Sequence, residues 1–279
     1  MEKDLDQKKL QFWNQRGWFP SPQEDDLSFL KRIAFLQKES SFPSPNSREV
    51  PALRKVQKAY DIFPDWVPIL WSNDSLPPWV GGATWTHSIA HFPHTTVKIQ
   101  MKKNFITRSR YLFFYDRTDL LAHEYVHAAR YALSPSRYEE ILAYRLSSSL
   151  LQRIGGPLLS FPLFSRGICL LVFVHLFSSL FYTLHPTDKR AEFYKLSLFC
   201  TLIWIFGFWL YIFFLKTQLY LCHKKFSHLC GKEKAWPLIY RLSDREISSF
   251  SRASTVTIAK KLKQWEKKGL RGRVLALYS

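Results

Sequence analysis

Two histidines and a glutamate, close together in the chain, have the types and spacing needed to activate water on a metal ion. The stretch His123-Glu124-Tyr125-Val126-His127 lies in a run from Thr118 to Leu133 that predicts one helix, with Asp116 or Thr118 as N-cap. Residues four apart lie on the same helix face, so His123 and His127 can bind one ion. Glu124 is offset by about 100°, which places its carboxylate beside that ion. Two imidazole ligands, an open position for water and a neighbouring base are typical of a hydrolytic zinc site. The alternative is a helix whose histidines bind nothing.

A third protein ligand is expected on the helix that follows. Pro135 interrupts the chain, and Ser136 is a suitable start for a second helix whose first turn contains Glu139 and Glu140. Ser136 and Glu139 have the spacing of a capping box, in which the glutamate bonds back to the start of its own helix. This interpretation assigns Glu139 to the cap and leaves Glu140 to join the two histidines. The short connection favours an antiparallel helix pair that would bring Glu140 to them.

The motif HEYVH followed by Glu140-x-x-Ala143 resembles the gluzincin class of zinc metalloproteases. It is most similar to the membrane-bound zinc proteases of the CAAX-processing and heat-shock type, and the similarity covers about residues 111–153. The resemblance implies a zincin-like domain that hydrolyses peptide bonds, with zinc bound by His123, His127 and Glu140 and with Glu124 as general base. Two features depart from the pattern. The interval from His127 to Glu140 is short for gluzincins, and Tyr144 stands where the membrane proteases usually have Asp.

The groups that would bind substrate are less clearly marked. Thr95 to Met101 alternates apolar and polar residues and predicts a half-buried strand, either the edge strand that pairs with substrate or an ordinary core strand. Residues 79–85 and 111–115 are further strand candidates. The candidates for stabilising an oxyanion are Arg130, Tyr131, Tyr144, His87, His91 and His94.

Two long apolar runs follow the motif region. Residues 167–184 and 196–215 contain no Asp, Glu, Lys or Arg, and each is long enough to span a bilayer, although buried core helices are the alternative. We therefore divide the chain into a metallopeptidase domain at 1–157, a transmembrane hairpin at 158–221 and a basic juxtamembrane region at 222–279. More cations flank the pair of runs than lie between them, which favours cytoplasmic N- and C-termini. The outer cations are Arg145, Arg153, Arg166, Lys216, Lys224, Lys225, Lys232 and Lys234, and the inner ones are Lys189, Arg190 and Lys195.

The C-terminal region is basic, within a chain of net charge +18. It predicts a lysine-rich helix at about 254–268 and then a short strand at 270–277, an order similar to a winged helix-turn-helix. Binding to anionic lipid headgroups is favoured over nucleic acid, because a basic helix next to a membrane hairpin is explained by lipid alone. Cys222, His223, His228 and Cys230 have ligand-type side chains at a spacing that matches no common zinc site.

Together these patterns predict an α+β protein. A zincin-like metalloprotease domain with a small sheet precedes a two-helix transmembrane hairpin and a basic, mainly helical C-terminal region. The expected function is a membrane-anchored zinc metalloendopeptidase that hydrolyses peptide or protein substrates on the cytoplasmic side. The N-terminus has no apolar signal-peptide core, which agrees with that orientation. The rival hypothesis is a non-enzymatic membrane protein whose basic tail binds anionic lipid or nucleic acid.

Overall fold

The computed structural model describes residues 7–39, 45–88, 95–113, 115–133, 137–265 and 269–278. The chain forms two compact units: a main unit of residues 1–148 and 218–279, and a hairpin unit of residues 149–217. The basic C-terminal region, expected as a separate segment, therefore belongs to the same compact unit as the N-terminal segment.

Helices dominate both units. In chain order they are α1 Gln7–Gln15, α2 Asp26–Glu39, α3 Val50–Tyr60, α4 Arg117–Arg130, α5 Glu139–Tyr144, α6 Leu150–Ser160, α7 Pro162–Leu184, α8 Asp188–Cys230, α9 Lys232–Tyr240, α10 Asp244–Arg252, α11 Thr255–Trp265 and α12 Gly269–Ala276. Two features of these helices differ from the sequence prediction. The expected strand at 270–277 is the helix α12, which removes the likeness to a winged helix-turn-helix. Residues 155–157, expected to end the soluble domain, lie inside α6.

The main unit has a small sheet of β1 Ile69–Trp71, β2 Gly82–Ser88 and β3 Thr95–Met101 in the order β1-β3-β2. β3 is central, parallel to β1 and antiparallel to β2. The predicted strand at 95–101 is therefore confirmed, but its proposed role as the edge strand is wrong, and the core-strand alternative holds. The candidate strand at 111–115 is instead a two-stranded hairpin of β4 Arg110–Tyr111 and β5 Tyr115–Asp116.

Helix α4 carries the HEYVH motif and is buried on nearly all sides. It begins after Asp116, whose carboxylate accepts hydrogen bonds from the backbone N–H groups of Thr118 and Asp119, as one of the two predicted N-caps. Small residues allow close neighbours: Gly17, at φ +78°, leaves no room for a side chain against Ala129. Most residues of α4, including His123 and Glu124, are therefore buried within the main unit.

The C-terminal region closes over the end of α4. Arg130, fully buried, donates to the backbone carbonyls of Tyr240 and Leu242. Tyr240 returns a hydrogen bond from its hydroxyl to the carbonyl of Val126 at 2.9 Å and stacks on Tyr60 with ring centroids 4.5 Å apart. Residues 240–242 thus form part of the packing that supports the motif helix.

The hairpin unit contains α6, α7 and the first part of α8. Helices α7 and α8 are long and apolar enough to cross a membrane, by length and composition. They pack closely where Gly167 meets the ring of Trp204, because a Cβ at Gly167 would lie 2.5 Å from that ring. Polar side chains also join them, with Ser197 Oγ 2.9 Å from Ser178 Oγ and 3.1 Å from His175 Nδ1.

A buried carboxylate on α4 generates a prediction about pH. Asp119 pairs with Lys55 of α3 and accepts a hydrogen bond from the N–H of Ser148 at 2.6 Å. Burial alone would raise the pKa of Asp119, but the hydrogen bonds from Lys55 and Ser148 outweigh it and leave the pKa below its usual value. A lowered folded-state pKa stabilises the fold above the unfolded value of about 3.9, and this stabilisation is lost as pH falls through the folded pKa.

We therefore expect Asp119→Asn to reduce the free energy of unfolding by about 1–3 kcal/mol at neutral pH, since a buried charge-assisted network loses a partner. Denaturation of the full chain in detergent, followed by circular dichroism, measures the loss. The difference from wild type should shrink in acid. Glu233→Gln, an exposed carboxylate on α9, is the control and should change little. An equal loss at all pH values would contradict this account.

Candidate metal centre

The ligand atoms of His123, His127 and Glu140 all lie within 4.8 Å of one another. The two Nε2 atoms lie 3.0 Å apart, and the Glu140 carboxylate places one oxygen 3.6 Å from His123 Nε2 and the other 3.5 Å from His127 Nε2. A tetrahedral zinc ion with bonds of about 2.0–2.2 Å holds its ligand atoms roughly 3.3–3.5 Å apart. Among the described residues these three form the one group of histidine, cysteine and acidic side chains able to hold a metal ion.

Two helices bring the three residues together. The i, i+4 spacing puts both histidines on one face of α4, as predicted, and the first turn of α5 places Glu140 opposite them. Tyr138, which directly precedes α5, donates from its hydroxyl to the side-chain oxygen of Gln218 on α8. That bond fixes the start of α5 and with it the position of Glu140.

Glu139 does not have the predicted role. Ser136 lies outside the described residues, and α5 begins after Tyr138, so that Glu139 is the first residue of the helix rather than the third. The spacing of a capping box is therefore lost. Instead, Glu139 Oε1 lies 3.0 Å from Nδ1 of His127.

The contact with Glu139 determines how His127 faces the site. An Nδ1–H that donates to a carboxylate leaves Nε2 as the ring atom directed at His123 and Glu140. Carboxylates in this position orient metal-binding histidines and raise their basicity. The sequence already marked Glu139 as the alternative to Glu140 for a place near the histidines. It could not show that the Glu139 carboxylate would contact Nδ1 of His127.

The two imidazoles have opposite protonation tendencies. Burial lowers the pKa of His123 well below its usual value, and the charge on His127 lowers it further. For His127, burial also acts to lower the pKa, but the hydrogen bond to Glu139 and the charges of Glu140 and Glu124 raise it to about 9. A metal ion at this point would replace the proton of His127, so that binding should release a proton.

Glu124 lies beside the group, buried and held by the sheet. The hydroxyl of Thr84 on β2 donates to Glu124 Oε2 at 2.7 Å. Burial raises the pKa of Glu124, while the charge of His127 and the Thr84 hydrogen bond oppose the rise. The charge of Glu124 in turn adds to the effect of burial in raising the pKa of Tyr115. The sequence analysis missed Thr84 and Tyr115, since neither lies in a motif and only the fold brings them to α4.

The residues predicted as candidates for stabilising an oxyanion differ in whether they lie near the His123–His127–Glu140 group. Arg130 is buried against backbone carbonyls at the far end of α4, and the hydroxyl of Tyr131 accepts a hydrogen bond from Arg32. His87 lies exposed on β2, and His91 and His94 lie outside the described residues. Tyr144 lies against the site, with its ring centroid 4.4 Å from that of His123.

The cysteines and histidines near residues 222–230 do not form a second metal centre in the described part of the chain. Cys222 is buried, and burial raises the pKa of its thiol to about 12, which disfavours the thiolate that binds metals. His223 stacks on Trp236 with ring centroids 4.5 Å apart.

Comparison with known proteins identifies no relative: no family model, no curated protein and no solved structure matches this chain. The assignment of the site therefore depends on its own geometry.

The geometry predicts different effects for the two neighbouring glutamates. Glu140→Ala removes one of three ligands and should leave less than one equivalent of zinc at concentrations that saturate the wild type. Glu139→Ala keeps all three ligands but removes the acceptor for the Nδ1–H of His127, and should weaken affinity by about 10–100-fold. Equilibrium dialysis of the full chain in detergent against a competing chelator measures both.

Glu233→Gln is the control for these measurements and should bind like the wild type. Full retention of zinc by Glu140→Ala would overturn the ligand assignment. Unchanged affinity in Glu139→Ala would show that the contact between Glu139 and His127 does not orient the ligand.

Proposed function

We propose that this protein is a zinc-dependent metallopeptidase, anchored in a membrane by its two long apolar helices, that hydrolyses peptide bonds on the cytoplasmic side. The observation that carries the proposal is the His123–His127–Glu140 group with the buried carboxylate of Glu124 beside it on the same helix. Two imidazoles and one carboxylate are a donor set of catalytic zinc sites, which keep a further position for water.

In the proposed reaction, bound zinc would polarise the scissile carbonyl and lower the pKa of its water towards about 7. Glu124 would accept the proton from that water and deliver it to the leaving amine. The raised pKa of Glu124 suits both steps, because a group that accepts and then returns a proton works best near the ambient pH. Thr84 would hold the carboxylate in position through its hydrogen bond.

The sheet supports a peptide as the substrate. Strand β2 carries Thr84 and pairs, within the described residues, with β3 alone, so that its other edge has backbone groups available to an extended chain. An extended peptide added to that edge would pass the face of α4 that carries Glu124. This edge takes the place of β3, one of the two roles the sequence left open for residues 95–101, as the proposed substrate strand.

The membrane part of the proposal is supported by composition and charge. Both long helices present most of their large apolar side chains outward, which costs free energy in water and none in lipid. The excess of Lys and Arg on the outer flanks favours cytoplasmic termini, and the main unit contains both ends of the chain.

The proposal predicts that Glu124→Gln lowers peptidase activity by at least about a hundredfold, since glutamine cannot accept the proton, while zinc content stays near wild type. The assay uses quenched fluorescent casein with the full chain in membrane vesicles, and Glu233→Gln is the control. Activity should appear in inside-out vesicles and be absent from sealed right-side-out ones.

Retained activity in Glu124→Gln would contradict the catalytic role. A zinc-loaded wild type without any activity on casein or a random peptide library would favour the non-enzymatic alternative. Activity confined to right-side-out vesicles would reverse the proposed orientation.

A further inference from the structure

The tip of the β4–β5 hairpin presents large apolar side chains to the outside. Phe113 is 99% exposed, more than any other large apolar residue in the described part of the chain, and the neighbouring Leu112 is exposed as well. Their backbones lie in the left-handed region, at φ +49° for Leu112 and +63° for Phe113. The left-handed conformation is unfavourable for residues that have a Cβ. An exposed apolar side chain gains no free energy from burial within this chain.

The hairpin below the tip is firmly held. Tyr111 pairs with Tyr115 across the ladder, packs edge-on against Phe105 with ring centroids 5.9 Å apart, and donates from its hydroxyl to the carbonyl of Pro78. Trp79, next to Pro78, is 67% exposed. The paired strands of the hairpin are therefore held by contacts, its tip is apolar, and the exposed indole of Trp79 lies near the foot of the hairpin, where Tyr111 contacts Pro78.

The flanks of the tip are basic. Residues 95–115 contain five cations and no acidic residue, and Lys103, Arg108 and Arg110 are exposed. In the described part of the chain no carboxylate lies within ion-pair distance of Arg108 or Arg110. Asp116, opposite Arg110 in the ladder, is already engaged by the N–H groups that it caps at the start of α4.

We infer that the β4–β5 tip is a membrane-contact site, at which Leu112 and Phe113 enter the interface of an anionic bilayer while Arg108 and Arg110 bind its headgroups. An exposed apolar patch marks a contact surface, and the cations around it select a partner with negative charge. An indole at the foot suits the headgroup level, where tryptophan is enriched. The same chain contains two helices long and apolar enough to cross a bilayer. This site is separate from the basic C-terminal region, and it requires neither metal nor catalysis.

A photoreactive residue tests the contact directly. The full chain, with p-benzoylphenylalanine in place of Phe113, is reconstituted in vesicles of phosphatidylcholine with or without phosphatidylglycerol. The lipids carry an acyl-chain tag. After irradiation, mass spectrometry of the peptide that contains position 113 measures the lipid adduct.

The matched control carries the same photoreactive residue at Leu27, which is also exposed, at 62%, but lies beside Asp25 and Asp26 on α2. We expect the lipid adduct at position 113 to exceed that at position 27 several-fold, and to be greater in the anionic vesicles. Arg108→Gln and Arg110→Gln should each reduce insertion into anionic vesicles by about fivefold and leave neutral vesicles unaffected.

Equal lipid adducts at positions 113 and 27 would overturn the inference, as would adducts at 113 that join only two protein chains. A lipid adduct that is independent of phosphatidylglycerol and of both arginines would overturn the assignment of an anionic partner. Because the experiment does not depend on zinc or turnover, its failure would leave the proposed peptidase intact.

Discussion

Two imidazole nitrogens held 3.0 Å apart inside a protein cannot both carry a proton without strong repulsion, and this constraint governs the arrangement around helix α4. Burial keeps His123 neutral, while Glu139 and Glu140 supply negative charge at His127. A metal cation bound by His123, His127 and Glu140 would replace the proton at His127 and meet the same negative charge. The fold thus places negative charge around two imidazole nitrogens, those of His123 and His127. A site that binds a metal cation has this electrostatic requirement.

Such a site is stable only if the surrounding structure holds its parts in place, since a shift of about an ångström would separate the ligand atoms. Four segments distant in sequence do this. Helix α3 holds Asp119 through Lys55, strand β2 holds Glu124 through Thr84, and Tyr138 fixes α5 through Gln218. The C-terminal region binds the end of α4 through Arg130, whose guanidinium has carbonyl partners in a fully buried position. The helix that carries both histidines and Glu124 is therefore also held by contacts from distant segments of the main unit.

Local patterns predicted a good part of this structure. Periodicity and capping residues located α4, the alternation at 95–101 located β3, and long uncharged runs located the two apolar helices. The spacing of His123 and His127, with the break before Glu140, was sufficient to predict the group that the structure brings together. These features succeed because they depend on residues close in sequence.

The features that the sequence did not predict depend on contacts between segments distant in the chain. Which strand lies at the edge is decided by pairing across the sheet, so the sequence could not choose between an edge and a core position for β3. Glu139 has a different position from the one expected because α5 begins two residues later than the capping box requires, and its carboxylate lies beside His127 instead. The region at 270–277 became a helix in a position where Asp26 accepts a hydrogen bond from the N–H of Leu270, a contact that no local pattern encodes.

We propose that a metal ion binds where α4 meets α5, and zinc X-ray absorption spectroscopy of the chain in detergent tests this claim. We expect one equivalent of zinc with two imidazole ligands at about 2.0–2.1 Å, further oxygen ligands and no sulfur. A spectrum with sulfur at about 2.3 Å would place the metal at cysteines instead. Protein that takes up no zinc from a zinc-containing buffer would contradict the claim outright.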